Sequence, residues 1–148
     1  MGPHRSIIMV IAALVLLASS CGMTAQKVAL NQMCQQPDNA LIRTEGFFRL
    51  PQTSDRSDMT DIEPDRYRLL LVEKSNGAGA FITAIVGGTD TKERNRIDML
   101  PVSYTYNDFH INTDAGTQLS ARDKVAVAGR VLKDSRPCVL RVERIETP

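Results

Sequence analysis

The chain contains 148 residues, of which 24% are charged and 43% are hydrophobic, and its formal net charge is +1. This length suits one domain with a real core, and the composition excludes a disulfide-dense miniprotein, a collagen-like chain and a wholly disordered chain. The near-neutral charge also argues against a non-specific nucleic-acid binder, because such proteins use excess Lys and Arg to displace counterions from phosphates.

The first twenty residues have the pattern of an export signal. Arg5 precedes the apolar run 7–18, and Ser19 and Ser20 follow it. A basic start, an apolar stretch of about 7–15 residues and small residues at its end are typical of such signals. As a helix this run rises only about 18 Å, too short for a membrane core of about 30 Å. We therefore predict cleavage, with an uncleaved anchor as the alternative.

The end of this segment reads Leu17-Ala18-Ser19-Ser20-Cys21 and resembles the lipobox of bacterial lipoproteins. In that family the cysteine becomes the first residue and carries acyl chains, so the resemblance implies lipidation at Cys21 and membrane attachment through that anchor. Gly22 follows instead of the Asp that retains many such proteins in the inner membrane. The implied location is the cell envelope, at the periplasmic face of an outer membrane or otherwise the outer face of the plasma membrane. A plain secretory signal is the alternative.

The chain is thus predicted to have three parts: a signal (1–20), a lipidated N-terminus with a tether (21–39) and a β-domain (40–148). Residues 22–39 are small and polar, and a short helix fits them as well as a tether does. Removal of the signal takes away Arg5 and no acidic residue, so the mature chain is formally neutral. It has no global field to attract nucleic acid or an anionic surface.

Beyond the tether, nearly every apolar stretch has the character of a β-strand. Gly46 interrupts the first stretch and indicates a bulge or a sharp coil. Turn residues 76–79 join the next two stretches into the clearest hairpin. Residues 89–98 lack an apolar stripe and are interpreted as a solvated loop, not a helix. The predicted strands are Leu41–Leu50, Tyr67–Glu73, Ala80–Val86, Val102–Tyr106, Phe109–Thr113, Lys124–Val131 and Cys138–Glu146.

Five to seven short strands without a long helix predict an all-β barrel or sandwich. The final third resembles the closing half of an OB-fold, since Val125, Val127, Gly129 and Val131 fit its V-x-V-x-G-x-V strand and Leu140, Val142 and Ile145 fit its last strand. The opening segment IRTEGFFRLP resembles its coiled first strand. The resemblance implies a small OB-like barrel, closed or partly open, after the signal and tether. The alternatives are a lipocalin-like or other small barrel and an immunoglobulin-type sandwich.

The three cysteines divide unevenly. If Cys21 carries lipid, Cys34 and Cys138 remain, and we predict that they form a disulfide in an exported chain. The closure of so long a loop would stabilise the fold.

Motifs for catalysis are absent from the sequence: it contains no G-x-x-x-x-G-K-S/T, H-E-x-x-H, G-x-S-x-G or C-x-x-C. His110 is the only histidine after the signal. It alternates with Phe109 and Ile111, which should face inward, so His110 should face solvent. One histidine and at most two thiols can hardly assemble a transition-metal site of the usual three or four ligands, and an exported chain seldom keeps a thiol reduced for a Cys–His pair. We therefore expect a protein that is not an enzyme and that has no cofactor.

An acidic segment lies between the first two predicted strands. Its spacing does not match an EF-hand, so we interpret it as a solvated loop, with a loose Ca²⁺ loop as the alternative. The acidic residues are Asp55, Asp58, Asp61, Glu63 and Asp65.

The candidate binding residues are basic side chains on the outward faces of strands together with the three tyrosines. Alternation should turn the basic residues of the last two strands outward, and OB-like barrels bind ligands across their second and third strands. Of the tyrosines, at least two should belong to the core. The candidates are Tyr67, Tyr104, Tyr106, Arg130, Arg141 and Arg144.

Together these features predict a non-catalytic, lipid-anchored envelope domain that binds a protein or another envelope component, with nucleic acid disfavoured as a partner. A carrier of a small ligand or ion, with a pocket at the barrel mouth, is the alternative, and a cryptic enzyme is a third.

Overall fold

The computed structural model describes residues 24–50, 65–134 and 136–148, and these are mostly β-structure. Short 3₁₀ helices lie at Leu30–Gln35 and Tyr106–Asp108. The strands are β1 (Gln26–Lys27), β2 (Leu41–Arg49), β3 (Arg66–Val72), β4 (Phe81–Thr89), β5 (Arg96–Asp98), β6 (His110–Asn112), β7 (Gln118–Ser120), β8 (Val125–Leu132) and β9 (Val139–Glu146).

Five of these strands close into a barrel. β2 pairs antiparallel with β3, β3 with β4, β9 with β8, and β8 with β2, whereas β4 pairs with β9 in parallel. Closure leaves these strands without the open edges that a flat sheet exposes. The circuit β2-β3-β4-β9-β8 is the strand order of an OB-fold barrel. The predicted all-β, OB-like class is confirmed.

Alternation along the strands fills the barrel. On β8, Val125, Val127 and Val131 are fully buried, and on β9 so are Leu140 and Ile145. Burial of such side chains contributes about 1.5–3 kcal/mol each. Val142, predicted to face inward, is only half-buried, because the β8–β9 register shifts between Ala128 and Gly129. This shift breaks the simple alternation on which that prediction depends.

Gly46 marks the point at which β2 changes partners. Residues before it pair with β1 and β8, whereas Phe47 to Arg49 pair with β3. A Cβ atom at Gly46 would lie 2.6 Å from the carbonyl oxygen of Val72. Only glycine lets the two backbones approach so closely, as the predicted coil of this strand requires.

The predicted tether is part of the folded domain. β1 pairs in parallel with β2, and the 3₁₀ helix Leu30–Gln35 buries Met33 completely. The predicted boundary at residue 40 is therefore wrong, because these residues help to cover the core. From this helix, Cys34 bonds to Cys138, with an S–S distance of 1.92 Å and a Cα–Cα distance of 5.6 Å. The two predicted cysteines thus join the segment before β2 to the start of β9.

Between β4 and β8, the chain forms a small second sheet. β5 pairs in parallel with the end of β4. β6 pairs antiparallel with β5, and β7 pairs antiparallel with β6. The predicted strand Val102–Tyr106 is wrong, since this segment leads into a 3₁₀ helix capped by the side chain of Thr105. His110 is half-exposed between buried Phe109 and Ile111, as alternation predicts. Its Nδ1 lies 3.7 Å from the Asp98 carboxylate.

Three cations converge on Glu45 at the outer surface of β2. Its carboxylate lies 3.2 Å from Nζ of Lys27, 3.3 Å from Nη1 of Arg43 and 2.9 Å from Nζ of Lys124. Hydrogen bonds from Lys124 and Lys27 lower the pKa of Glu45 from 4.5 to about 2. The carboxylate therefore ties β1 and the residue preceding β8 to the first barrel strand.

Replacement of Glu45 by Gln should lower the free energy of unfolding at about pH 7 by about 1–2 kcal/mol, after allowance for solvent screening. Because the folded-state pKa lies below the unfolded one, this contribution is complete above about pH 4.5 and is lost as the pH falls toward about 2. Chemical denaturation of both proteins across this range measures the difference. A difference that stays constant with pH would contradict the assignment.

Candidate functional site

The outer faces of β3, β4 and β9 carry a row of arginines. Arg66 and Arg68 point outward because they flank buried Tyr67 on β3. The register places Arg68 opposite Ile85 of β4, and Ile85 opposite Arg141 of β9. Arginines from strands that are distant in sequence therefore stand on both sides of one strand.

A cleft of about 310 Å³ opens on this face, between the strands and the loop that joins β4 to β5. We call it the arginine cleft. Its lining residues in the described part of the chain are Arg66, Ile85, Gly87, Arg94, Asn95, Arg96, Arg141, Val142 and Glu143.

Gly87 makes room for one of these guanidinium groups. A Cβ atom at Gly87 would lie 2.5 Å from Nη1 of Arg96, so the guanidinium rests directly against β4. Nη1 of Arg96 donates a hydrogen bond to the carbonyl oxygen of Gly88 at 3.3 Å, and Nε lies 2.9 Å from the Glu93 carboxylate. Glycine in a strand commonly marks such a close approach by another group.

Asn95 holds the end of the loop that carries Arg94 and leads into β5 at Arg96. Its backbone φ is 61°, a left-handed conformation that Asn adopts more readily than most residues. Its Oδ1 accepts a hydrogen bond from the Ile145 N–H at 2.8 Å, and its Nδ2 donates to the Asp114 carboxylate at 2.8 Å. One side chain therefore fixes both arginines relative to β9.

The charge of the cleft is positive. Glu143 is paired with Arg130 at 3.1 Å, outside the lining residues, and Glu93 is paired with Arg96. Within the described residues, no carboxylate lies within 4.0 Å of the guanidinium of Arg94 or Arg141. These two groups are available to an anion.

Apolar side chains extend the same face away from the cleft. Phe81 is 63% exposed and Leu70 is 41% exposed. Phe81, Ile85 and Gly87 share one face of β4 because their positions differ by even numbers. At about 3.3 Å per residue, the face from Phe81 to Gly87 is about 20 Å long. It offers an aromatic ring at one end and guanidinium groups at the other.

The solved structures that resemble this chain at low similarity include two from Saccharomyces pombe. The crystal structure of the telomere capping protein Ten1 from Saccharomyces pombe is 14% identical, covers 84% of this chain and 81% of that chain, and has a TM-score of 0.42. For the S. pombe Stn1–Ten1 complex the identity is 15%, the coverage 85% and 78%, and the TM-score 0.41. Resemblance at this level assigns no ligand.

No protein-family model matches the chain, and no curated protein matches it.

The predicted role as a lipid-anchored envelope domain is corrected at this point. The two structures named above are of the telomere capping protein Ten1 and of the Stn1–Ten1 complex, and neither is an envelope lipoprotein. We therefore do not propose an envelope function, a carrier function, an envelope location or a membrane partner for this protein. Cys21 lies outside the described residues, so its lipidation stays a prediction. In the described ranges, the helices are too short or too polar to span a membrane.

The expectation that nucleic acid is a disfavoured partner is corrected here, because its main premise fails. It rested on the net charge of the whole chain, whereas anion binding depends on where the charges lie. Folding gathers four arginines from three separate parts of the sequence around one cleft. Local charge is therefore large although the overall charge is close to zero.

Two of the three candidate tyrosines belong to the core. Tyr67 is 1% exposed and Tyr104 is 6% exposed, so neither can meet a ligand, and both are corrected as binding residues. Tyr67 Oη accepts a hydrogen bond from the Leu100 N–H at 2.9 Å and donates to Sδ of Met99 at 3.2 Å. Tyr106 is exposed, but it lies outside the arginine cleft.

Of the three candidate arginines, Arg141 lines the arginine cleft. Arg130 is paired with Glu143 and also donates to the carbonyl oxygen of Asn39 at 3.2 Å. Arg144 lies 3.8 Å from the Glu146 carboxylate, away from the cleft. The structure therefore brings together one predicted arginine and several that were not predicted.

Most of the acidic segment lies outside the residues that the structure describes. Asp55, Asp58, Asp61 and Glu63 lie outside the described residues, and Asp65 is exposed at the start of β3. Among the described residues, no three His, Cys, Asp or Glu side chains are placed to hold a metal ion.

Sequence reasoning missed Arg66, Arg68, Arg94 and Arg96. The outward direction of Arg66 and Arg68 follows from the alternation in RYRLLLV and could have been found. The other two lie in the segment interpreted as a solvated loop. Their approach to β4 depends on Gly87 and Asn95, and no local pattern indicates it.

Replacement of Asn95 by Ala should lower the free energy of unfolding by about 1–3 kcal/mol, because the Ile145 N–H and the Asp114 carboxylate both lose a partner. Urea denaturation measures this. Asn107→Ala, at an exposed asparagine, is the matched control and should change the stability by less than about 0.5 kcal/mol. Equal stability of the two variants would show that Asn95 does not hold the loop.

Proposed function

We propose that this protein is a non-catalytic binding domain that holds single-stranded nucleic acid across the outer face of β3, β4 and β9. The observation that carries the proposal is the convergence of Arg66, Arg94, Arg96 and Arg141 on one cleft. Arginine presents a planar fork of N–H donors that matches phosphate oxygens. The cleft would receive the phosphates of the strand.

The exposed apolar groups favour a single strand as the ligand. Proteins that bind single strands combine a positive groove with aromatic side chains on which bases stack. Phe81 lies on the same face of β4 as the cleft and is largely exposed. In a duplex the bases are already stacked and paired, so this ring would have no exposed base to contact.

Binding, not catalysis, suits the chemistry of this face. In the described part of the chain, the groups that line the cleft are guanidiniums, an amide, apolar side chains and one carboxylate that is paired with Arg130. Such a set holds an anion, but it does not pair a nucleophile with a base. Acid polysaccharides share the anionic chemistry but not the flat bases, and they serve as the competing ligand in the test.

The test measures fluorescence anisotropy with a labelled oligodeoxynucleotide of about 12 nucleotides, a length within the site sizes of single OB domains. Arg94→Gln and Arg141→Gln should each weaken binding by about tenfold, as expected for loss of one charge-assisted contact. Each should also lower the slope of log K against log salt by about 0.7.

Arg144→Gln removes the same charge outside the cleft and should leave the affinity within about twofold of the wild type. Equal weakening by all three variants would show that binding is diffuse and would contradict the proposed site. Binding of a heparin fragment without binding of the oligonucleotide would contradict the proposed ligand and indicate an acid polysaccharide instead.

A further inference from the structure

A second concavity, of about 560 Å³, lies beside the end of β2. Its volume is in the range of sites that enclose a small molecule. The lining residues in the described part of the chain are Phe47, Arg49, Ser75, Tyr106, Ala121 and Arg122. Two aromatic rings and two guanidinium groups therefore face one space, and none of these lining residues is acidic. We call it the β2 pocket.

Arg49 is held in place before any ligand arrives. Its Nη1 donates a hydrogen bond to the carbonyl oxygen of Ser75 at 3.2 Å. The same guanidinium lies against Gly77, where a Cβ atom would be 3.2 Å from Nη2. A guanidinium has five N–H donors, so most of those on Arg49 remain for a ligand. Its position is fixed by the turn between β3 and β4.

Two turns of the same kind form the other side of the pocket, and in each a Thr or Ser donates hydrogen bonds to the carboxylate of the Asp three residues later. In one, the N–H and Oγ1 of Thr105 donate to the Asp108 carboxylate at 2.7 and 2.9 Å, and Tyr106 follows. In the other, the N–H and Oγ of Ser120 donate to the Asp123 carboxylate at 2.7 and 2.8 Å.

This second turn carries Arg122, whose backbone N–H donates to Oγ of Ser120 at 3.3 Å. Each turn presents one exposed side chain to the pocket, a phenol from Tyr106 and a guanidinium from Arg122. Within the described residues, no carboxylate lies within 4.0 Å of the Arg122 guanidinium. That charge is therefore open to an anion.

The pocket is continuous with the face proposed above. Arg49 is the register partner of Leu70, and Phe47 is that of Val72, whose other partner is Phe81. The outer surface thus runs from the β2 pocket across β3 to β4 and the arginine cleft. A strand that occupies the cleft can reach the pocket without leaving the surface.

We propose that the β2 pocket binds one nucleotide, with its base against Phe47 and Tyr106 and its phosphate on Arg49 and Arg122. This rests on the proposed function for its biological setting. The ligand is expected to join a flat ring to an anion, because the lining contains both aromatic rings and guanidinium groups. The pocket would place one base of the bound strand apart from those on Phe81.

The test titrates deoxyadenosine monophosphate into the whole protein. Binding is followed by the heat released in calorimetry and by changes in the amide chemical shifts in NMR. Binding should have a dissociation constant of about 1 mM or below, a value suited to one ring and one phosphate. Deoxyadenosine and inorganic phosphate should each bind at least about tenfold more weakly. Arg122→Gln and Tyr106→Ala should each weaken binding of the monophosphate by about tenfold, because Arg122 supplies one of the two guanidiniums and Tyr106 one of the two rings.

Arg144→Gln, which removes a charge outside both sites, should leave this affinity unchanged. Absence of binding to the wild type at about 10 mM, or binding by the Arg122 and Tyr106 variants that is as tight as that of the wild type, overturns the pocket. Binding of the monophosphate that depends on Arg122, without binding of the oligonucleotide, would keep the pocket and refute the proposed function. Binding of the oligonucleotide without binding of the monophosphate would refute the pocket alone.

Discussion

The parallel pairing of β4 with β9 is the constraint on which the other features depend. It matches Thr83 with Val139, Ala84 with Leu140 and Ile85 with Arg141, and it turns an open sheet into a closed barrel. Inside, Ala84 and Leu140 are fully buried. Outside, the same register brings Arg141 alongside a strand that it follows by more than fifty residues. The arginine cleft is thus a consequence of barrel closure.

Two further connections hold β9 in this position. The disulfide from Cys34 reaches the residue directly before β9, and it closes a loop of 104 residues, which in the chain-entropy model stabilises the fold by about 4–5 kcal/mol. At the other end of β9, Asn95 binds the Ile145 N–H, while the Asp114 N–H donates to the Ile145 carbonyl oxygen at 2.7 Å. The strand that completes the barrel is therefore fixed at both ends by parts of the chain that are distant in sequence.

Alternation was sufficient to predict the barrel strands, the solvent-facing His110 and the inward valines of β8, since these depend on neighbours in sequence. It failed where contacts between distant segments decide. No local pattern indicates that the loop after β5 supplies the Leu100 N–H to the hydroxyl of buried Tyr67. The segment 24–39 resembles a tether until Met33 enters the core. Net charge misled for the same reason, because a sum over the sequence carries no information on which arginines meet. Arg96 lies directly against β4 at Gly87, which has no side chain there.

The central claim is that barrel closure builds an anion-binding face from β3, β4 and β9. The most direct measurement is a titration of ¹⁵N-labelled protein with a short single-stranded oligonucleotide, followed by amide chemical shifts. The account predicts that the amides of Arg68, Ile85, Gly87 and Arg141 shift in concert, while that of Gln118 on the small sheet does not. Shifts confined to the small sheet, or none at a ligand concentration of about 1 mM, would contradict it.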